Sequence, residues 1–387
     1  MPALWFFGPI NTEGMRQSLG IPLQVGAAAR KVEGILRAVQ AHGWQGHLVA
    51  TPIVGSATGR WWHAGAVHQE PWGVVHQGPA LGKPALNRLL AGWTYARWAF
   101  RVPRHEAKVV FYNFFPEFIP AAWILRCRGI AAHLDVEDYP DGLQGMRSRI
   151  NRWSFAIMRR LCHPHPLVAS TGIAQRCQAS VSCVIHGVLT DNDQGAEPVT
   201  STTPLRVLYG GTIRPDTGSD LAVAALRILR SRGESIPPIT CIVTGFGDVA
   251  ALRSLADTAH PTVRVEVHAD LDAPAYRNML RSCHAGLCLK LPDSDVGQTT
   301  FPSKSVEIAA NGLVLVSTDV SDVGRLFQDA ALLLDRAEGT DLADALVRLA
   351  KDPHLVERLS RAGLQRVQEQ QSPAAVGQRL LAFFETP

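Results

Sequence analysis

Short apolar runs alternate with longer amphipathic segments along this chain, and the whole pattern occurs twice. In the first half, the apolar runs predict buried strands at Leu4–Phe7, His47–Thr51, Lys108–Tyr112, Ala131–Val136, Leu167–Ser170 and Ser182–Ile185. The longer segments predict helices at Ala27–His42, Ala85–Arg101, Phe118–Arg128 and Gly145–Leu161. Strands and helices in alternation form βαβ units, which build a parallel sheet covered on both faces.

A polar, turn-rich interval from Thr190 to Pro204 is typical of a linker, and the pattern restarts after it. The predicted strands of the second half are Arg206–Tyr209, Thr240–Thr244, Val263–Val267, Gly286–Leu289, Val314–Thr318 and Ala331–Leu334. The predicted helices between and after them are Ser219–Arg230, Val249–Ala259, Ala273–Cys283, Asp319–Gln328, Asp341–Lys351 and His354–Gln370. A chain of 387 residues is too long for one compact core. We therefore predict an α/β protein with domains at 1–195 and 196–371, and an apolar terminal helix at 372–387 that packs back on the first domain.

Composition narrows the class of protein. Hydrophobic residues make up 46% and charged residues 19% of the chain, which is typical of a globular protein. The seven cysteines are scattered, so a reduced cytoplasmic setting is expected and a zinc site is not. No apolar stretch reaches the roughly 18–20 residues that a membrane span needs.

Charge is unevenly distributed along the chain. Residues 1–200 hold 19 basic and 12 acidic residues, a net charge of +7, whereas the remainder has a net charge of −3. The first half is therefore expected to face something anionic. Nucleic acid is disfavoured because the basic residues form no run.

The segment from Thr300 to Gly312 predicts a phosphate site. The chain turns at Pro302 and enters a helix at Ser303, so free backbone N–H groups, a hydroxyl and the amine of Lys304 lie together at a helix start. Glu307, one turn later, lies on nearly the same face and can accept hydrogen bonds from a ribose diol. Phosphate and ribose together indicate a nucleotide, although an ordinary capped helix has the same local pattern.

A glycine-rich turn follows the first predicted strand of the second domain. Gly210 and Gly211 allow backbone to approach a ligand, and Arg214 carries a planar donor fork suited to a diphosphate. A plain strand-to-helix turn with a solvated arginine is the alternative. Gly26, ahead of the first helix of the first domain, is a further backbone position for a ligand.

At this point the chain resembles the retaining glycosyltransferases of family 4, over nearly its whole length and most strongly from Leu205 to Phe384. The residues that carry the resemblance are Gly211-Thr212-Ile213-Arg214 through Gly218, Gly245-Phe246-Gly247, His284-Ala285-Gly286-Leu287, and Phe301-Pro302-Ser303-Lys304 through Glu307 and Gly312. The resemblance implies the GT-B fold, in which two Rossmann-like doubly wound parallel-sheet domains face a central cleft.

The same resemblance implies an activity. A sugar would move, with retention, from a nucleotide-sugar donor bound mainly by the second domain to a glycan or lipid-linked acceptor held by the first. Glu307 would contact the ribose and the helix start beneath it the diphosphate. The family needs no metal or other cofactor, because positive groups and helix starts neutralise the leaving diphosphate. The expected donor-binding residues are Gly26, Gly211, Thr212, Arg214, Gly245, Thr299, Thr300, Ser303, Lys304 and Glu307.

Three positions depart from the family pattern. The family has a second glutamate eight positions before the ribose-binding one, and Thr299 occupies that place here. The arginine and lysine that the family carries after the glycine turn fall at Thr212 and Thr217, which leaves Arg214 as the nearest substitute. Lys304 could supply the missing positive charge from the other side of the site.

In the first domain, Glu137 and Asp138 follow a predicted strand at the place where the family often has a histidine or an acidic residue. Neighbouring residues of an extended segment point to opposite faces, so only one of the two can look into the cleft. We favour Asp138 as the group that orients or deprotonates the acceptor hydroxyl. A capping acid before the next helix is the alternative. Asn113 and Glu117 are the other predicted acceptor-side residues.

Arginines and aromatic residues are interleaved between Gly145 and Leu161, and again from Trp93 to Arg104. A basic amphipathic helix with an aromatic face can lie on an anionic membrane. Peripheral attachment to the inner face of the cell membrane is therefore a candidate, and a helix packed on the sheet with its arginines in water is the alternative.

Two other functions fit parts of the chain. Gly245-Phe246-Gly247-Asp248-Val249-Ala250 with Glu266 satisfies the dinucleotide fingerprint loosely, which would indicate an NAD(P)-dependent oxidoreductase. The fingerprint belongs on the first βα unit of its domain, however, and here it falls on the second. A non-catalytic GT-B protein that binds a nucleotide-sugar or a glycan is the third candidate. The sequence favours a glycosyltransferase acting in the cytoplasm on a cell-surface polysaccharide or glycolipid precursor.

Overall fold

The computed structural model describes residues 1–21, 26–53, 61–140, 146–190, 196–199, 203–268, 271–293, 297 and 300–386. The chain divides into two compact units. The first comprises Met1–Val188 with Ser372–Pro387, and the second comprises Leu189–Gln371.

The strands of the first unit form a mostly parallel sheet in the order β10-β9-β8-β7-β1-β2-β5-β4. Its members, with the small pair β3 and β6, are β1 (Ala3–Gly8), β2 (Gln45–Ala50), β3 (Trp62–His63), β4 (Ala66–Glu70), β5 (Gly73–Gln77), β6 (Ala80–Leu81), β7 (Ala107–Tyr112), β8 (Ala132–Val136), β9 (Leu167–Val168) and β10 (Cys183–Val184). The helices of this unit are α1 (Glu13–Leu19), α2 (Ala27–Gln40), α3 (Pro84–Arg101), α4 (Ile119–Cys127), α5 (Met146–Leu161), α6 (Thr171–Arg176) and, from the end of the chain, α14 (Pro373–Glu385).

Strand β1 shows why this sheet is covered on both faces. Its side chains alternate, so Trp5 and Phe7 join the core beneath α3, α4 and α5, whereas Leu4 and Phe6 join the core beneath α2 and α14. Helix α14 lies so close to α2 that a Cβ on Gly377 would lie 2.2 Å from the carbonyl oxygen of Ala38. The terminal helix is therefore an integral layer of the first unit.

The second unit has a parallel sheet in the order β13-β12-β11-β14-β15-β16. These strands are β11 (Leu205–Ile213), β12 (Ile239–Gly247), β13 (Val263–His268), β14 (Ala285–Cys288), β15 (Val314–Thr318) and β16 (Leu332–Leu334). The helices are α7 (Ser219–Ser231), α8 (Ala250–Ala256), α9 (Ala273–Arg281), α10 (Lys304–Ala310), α11 (Val323–Phe327), α12 (Gly339–Lys351) and α13 (Pro353–Gln371). The strand order reverses between β11 and β14, and ligands of such sheets bind at the carboxyl ends of the strands beside that point.

The structure differs from the predicted elements in several places. Strands β11 and β12 continue through their glycines, whereas the prediction ended them at Tyr209 and Thr244, because the two strands pair in register as far as Ile213 and Gly247. Strand β4 runs antiparallel to β5 at the sheet edge. The prediction missed it, together with β3, β5, β6, α1 and α6, because short elements carry little periodic signal. None of the described helices is both long and apolar enough to cross a membrane.

Candidate donor site in the second unit

Two glycines bring the carboxyl ends of β11 and β12 together. Gly211 and Gly245 are register partners, with φ of 111° and 126°. A Cβ built on Gly245 would lie 1.9 Å from the carbonyl oxygen of Gly211, so a larger residue at position 245 would collide with the neighbouring strand. Only glycine accepts this backbone conformation without strain. The predicted glycine turn is thus a close approach of two strand ends.

The side chain of Lys304 lies across this pair of strand ends. Its Cε lies 3.0 Å, and its Nζ 3.7 Å, from the point where a Cβ at Gly211 would be. At Gly210, the amine lies 3.6 Å from the corresponding point. The glycine turn and the start of α10, which were separate motifs in the sequence, therefore meet through one lysine.

Lys304 is held in place by two polar partners. Its Nζ donates to the hydroxyl oxygen of Tyr276, over 2.9 Å, and to the carboxylate of Glu307, over 3.3 Å. The Tyr276 hydroxyl in turn donates to Glu307 over 3.2 Å. Burial lowers the pKa of Lys304, but Glu307 and Tyr276 outweigh burial and hold that pKa above its ordinary value. The amine is thus a fixed positive charge at the strand ends.

Tyr276 was not predicted. It lies in α9, between β13 and β14, and a tyrosine on an amphipathic helix is most simply interpreted as a core residue. Its ring also faces the Lys304 amine, with 5.1 Å from Nζ to the ring centroid. No local sequence signal distinguishes it, because its partners lie 28 and 31 positions further along the chain.

Arg214 has a partner of its own in the turn. Its guanidinium forms two hydrogen bonds with Asp216, of 2.8 and 3.1 Å, and the side chain is 59% exposed. The backbone around it is closed by Thr217, whose hydroxyl donates to the carbonyl oxygen of Thr212 over 2.6 Å. The part of Thr212 that helps to close the turn is therefore its backbone carbonyl group. Whether Arg214 also contacts a diphosphate stays a prediction.

The remaining predicted donor residues are placed as follows. Ser303 occupies the N-cap of α10 without a capping hydrogen bond, and Ser305 instead donates to the carbonyl oxygen of Pro302 over 2.7 Å. The carbonyl oxygen of Thr300 accepts a hydrogen bond of 3.4 Å from Lys290, a second lysine that the sequence analysis did not single out. Thr299 lies outside the described residues.

Candidate acceptor-side cluster in the first unit

A buried lysine joins two carboxylates at the carboxyl end of β8. The Nζ of Lys31, from α2, donates to Asp135 over 2.9 Å and forms a second, short hydrogen bond with Glu137. Asp135 is completely buried, and its Oδ2 has no hydrogen-bond partner. Burial lowers the pKa of Lys31, but the two carboxylates outweigh burial and hold it above its ordinary value.

Glu137 has a pKa well above its ordinary value. Burial raises its pKa, Lys31 opposes that rise and Asp135 adds to it, and the result is a pKa of about 8. The physical reason is that two carboxylates face one ammonium group, so the second negative charge is only partly compensated. A carboxyl group with this pKa can exchange a proton near neutral pH.

Asn113 shapes the segment that carries both predicted acids. It adopts a φ of 59°, and its Oδ1 accepts hydrogen bonds from the backbone N–H groups of Glu137, over 2.8 Å, and Asp138, over 3.4 Å. Glu137 points toward Lys31, whereas Asp138 is exposed. Direct contact of Asn113 with an acceptor stays a prediction.

The other two positions predicted in this unit are separate from the cluster. Glu117, ahead of α4, is bound by the guanidinium of Arg88 in α3. Gly26 is the N-cap of α2, and a Cβ there would meet no atom within 4 Å. The sequence analysis did not single out Lys31. Its position on α2, about one turn after Gly26, was a signal that could have identified it.

Comparison with known proteins

Residues 229–382 match a family model described as Glycosyl transferase-like. Solved structures match both units. Sucrose-phosphate synthase from Thermosynechococcus elongatus aligns with a TM-score of 0.67 and 14% identity, over 99% of this chain and 98% of that one. A trehalose-6-phosphate synthase, OtsA, aligns with a TM-score of 0.69 and 11% identity, over 100% and 99% of the two chains. The α,α-trehalose 6-phosphate synthase of Burkholderia multivorans gives 0.65 and 12%, over 99% and 96%. No curated protein matches the sequence significantly.

The two parallel-sheet units, the matched family model and the shared fold define the class: a glycosyltransferase with the GT-B fold. At identities of 11–14% the solved structures share the fold alone, so membership of family 4 stays a prediction. The oxidoreductase alternative does not agree with this class. Glu266, its required acid, lies within β13 and forms an ion pair of 3.0 Å with Arg264.

Proposed function

We propose that the protein transfers a sugar from a nucleotide-sugar donor, and that the second unit binds the donor at the carboxyl ends of β11 and β12. The observation that carries this proposal is the amine of Lys304, which lies over Gly210 and Gly211 and is held by Tyr276 and Glu307. A fixed cation beside glycine backbone suits a diphosphate, which carries negative charge and needs close approach.

The same arrangement has a role in the reaction. When the bond between the sugar and the diphosphate breaks, negative charge increases on the leaving diphosphate. Lys304 is positioned to stabilise that charge, and a preorganised donor of this kind contributes about 2.7–4 kcal/mol. Glu307, one turn into α10, is proposed to accept hydrogen bonds from the ribose. Transfer with retention needs no nucleophile from the protein.

We further propose that the reaction needs no metal ion and no other cofactor. The support is that Lys304 already supplies positive charge where a bound divalent ion would otherwise neutralise the diphosphate. Arg214 lies in the same turn and could add to it.

We propose that the first unit holds the acceptor, a glycan or lipid-linked precursor of a cell-surface polysaccharide or glycolipid in the cytoplasm. The support is the acidic cluster at the carboxyl end of β8, where Glu137 has a pKa of about 8 and Asp138 is exposed. Either carboxylate could orient an acceptor hydroxyl or accept its proton.

The donor site is tested by thermal-shift titration with UDP, GDP, ADP and CMP. UDP is the first choice, because two of the similar solved structures are described as UDP-forming trehalose-phosphate synthases. A nucleotide that binds the folded protein raises the melting temperature. We expect one nucleotide to give a clear shift and Glu307→Ala to abolish it.

The matched pair Lys304→Met and Lys351→Met tests the charge itself. Both remove one ammonium group from the second unit, but Lys351 is exposed at the end of α12. Loss of a charged hydrogen bond of about 1.5–3 kcal/mol should weaken nucleotide binding about 10- to 100-fold in Lys304→Met alone. Equal affinities in the two variants would place the nucleotide elsewhere. Binding without sugar release or transfer would instead support the non-catalytic alternative.

A further inference from the structure

Three neighbouring helices of the first unit expose large apolar side chains. On α3, these residues follow one another at helical spacing, so they form a single stripe: Leu86, Leu89, Trp93 and Phe100. Trp93 is 55% and Leu89 74% exposed, although both lie on a helix whose opposite side is fully packed. Side chains of this size are not usually left in water in a row.

The stripe continues on the next two helices. Helix α4 exposes Trp123, which is 60% exposed, and α5 exposes Ile150 and Trp153, the latter 57%. Helices α3, α4 and α5 pack their inner sides into the same core, so their outer sides look away from that core together. We call the surface the tryptophan face, defined by Leu86, Leu89, Trp93, Phe100, Trp123, Ile150 and Trp153.

All charged residues in α3, α4 and α5 are positively charged. Their sequences contain nine arginines and no aspartate or glutamate. The arginines are Arg88, Arg97, Arg101, Arg126, Arg147, Arg149, Arg152, Arg159 and Arg160. The guanidinium of Arg97 lies 5.3 Å from the ring centroid of Trp93, so cationic and aromatic groups are mixed on the same surface.

We propose that the tryptophan face docks on a bilayer that contains anionic lipid. Tryptophan is favoured at the level of the lipid headgroups, where its apolar ring and its polar N–H are both satisfied, and phenylalanine and leucine add apolar surface that is buried at the boundary with the acyl chains. Arginine keeps its charge among the phosphates while its stem covers apolar surface. Each basic residue near an anionic membrane adds about 1 kcal/mol, or about fivefold, to binding.

The positive charge of the tryptophan face also argues against a second copy of the chain as its binding partner. Two copies joined through this face would bring the arginines of α3, α4 and α5 against their own copies, and these helices contain no acidic residue. Glu117, the acid directly ahead of α4, is already bound by Arg88. An anionic membrane supplies the compensating negative charge. The proposal goes beyond sugar transfer and does not depend on it, because the donor site lies in the other unit.

Vesicle flotation tests the proposal without any activity assay. Wild-type protein should float with vesicles of phosphatidylcholine and phosphatidylglycerol, and with vesicles of phosphatidylcholine alone far less. The variant Arg149→Glu/Arg152→Glu/Arg160→Glu should lose about 100-fold or more in partitioning. The control Arg253→Glu/Arg281→Glu/Arg358→Glu reverses three exposed charges of the second unit and should float as the wild type does.

A second variant tests the apolar part. Trp93→Ala/Trp123→Ala/Trp153→Ala should lose about tenfold or more in partitioning while its circular dichroism and melting temperature stay within the wild-type range, because these side chains are exposed. Quenching of tryptophan fluorescence by brominated lipid should fall in the same variant. Flotation that neither triple variant reduces would overturn the proposal. So would a wild-type protein that binds double-stranded DNA but not anionic vesicles, or a dimer that the tryptophan variant dissociates.

Discussion

At the scale of single residues, one lysine in each unit sets the local chemistry: Lys31, whose side chain is almost completely buried, and Lys304, whose side chain is partly buried. Lys304 places a positive charge at a glycine-rich strand end. Lys31 binds the carboxylates at an acidic strand end, where the raised pKa of Glu137 lets that carboxyl group exchange a proton. Each lysine keeps its charge because carboxylate partners outweigh the cost of burial. Their surroundings differ in one respect. Lys304 has one carboxylate partner, whereas Lys31 has two.

The Glu137 carboxyl should make stability fall as pH rises. Its pKa is about 8 in the folded protein against an ordinary 4.5, so the folded state holds a proton that the unfolded state has lost between these values. The stability that this proton contributes is fully present below about pH 4.5 and is lost as pH approaches about 8. We expect Glu137→Gln to show a flatter dependence of unfolding free energy on pH across this window. An unchanged slope would contradict the assignment.

Lys31 should set the pH at which Glu137 titrates. Removing the ammonium group removes the influence that lowers the pKa of Glu137, so Lys31→Met should move the acidic limb of the pH–rate profile to higher pH. The control is Lys83→Met, at an exposed position of the same unit. If Asp138 is instead the group that accepts the proton, Asp138→Asn removes the activity and Lys31→Met leaves the profile in place.

Tyr276 should contribute to nucleotide affinity through its hydroxyl group, while its ring packs against the core of the second unit. Tyr276→Phe keeps the ring beneath Lys304 but removes the hydroxyl that bonds to Lys304 and Glu307. A hydrogen bond of about 1 kcal/mol corresponds to a three- to tenfold loss in affinity for the nucleotide, which a titration would measure. A melting temperature that falls by more than a few degrees would instead show a mainly structural role.

At the scale of elements, the donor site depends on how β11 and β12 end. Both strands remain paired through their glycines, Gly211 and Gly245 have positive φ, and the two strand ends approach each other closely there. Helix α10 then places Lys304 over that surface. The site is thus made by three elements that are distant in sequence, and any change in the approach of the two strands moves the surface on which the lysine lies.

Gly245→Ala should damage the second unit more than an ordinary glycine substitution. The new Cβ would meet the carbonyl oxygen of Gly211 at 1.9 Å, and the φ of 126° is unfavourable for alanine. Gly233→Ala is a suitable control, since Gly233 also has a positive φ, of 56°, but lies in open space. We expect Gly245→Ala to cost at least about 2 kcal/mol more in urea unfolding. Equal costs would show that the two strand ends relax apart freely.

At the scale of the whole molecule, each unit carries its own part of the proposed reaction. The second unit has the donor site, and the first has the acidic cluster and the tryptophan face. Charge follows this division: the first unit holds 20 basic and 10 acidic residues, a net charge of +10, and the second holds 18 basic and 24 acidic residues, a net charge of −6. The nine arginines of α3, α4 and α5 make up nearly half of the basic residues of the first unit, so much of the asymmetry noted in the sequence lies on these three helices.

Transfer by the intact protein should survive removal of divalent ions. If Lys304 supplies the charge that neutralises the leaving diphosphate, then dialysis against EDTA should leave the rate within about twofold, and added Mg²⁺ should not raise it. Lys304→Met should lower the rate about 100-fold under both conditions. A loss of activity in EDTA that Mg²⁺ restores would show that the metal-independent mechanism is wrong.

The amino-acid sequence by itself determined the class of fold and the main motifs. Alternating apolar runs and amphipathic segments specify βαβ units locally, and the glycines and the Ser303-Lys304 helix start have recognisable local patterns. Tertiary structure alone decided which residues meet. Tyr276 reaches Lys304, and Lys31 reaches Asp135 and Glu137 across more than a hundred positions, because strand order and helix packing set these distances. The same packing left the aromatic side of three helices exposed, since periodicity shows that a helix has two faces but not how much of each is covered.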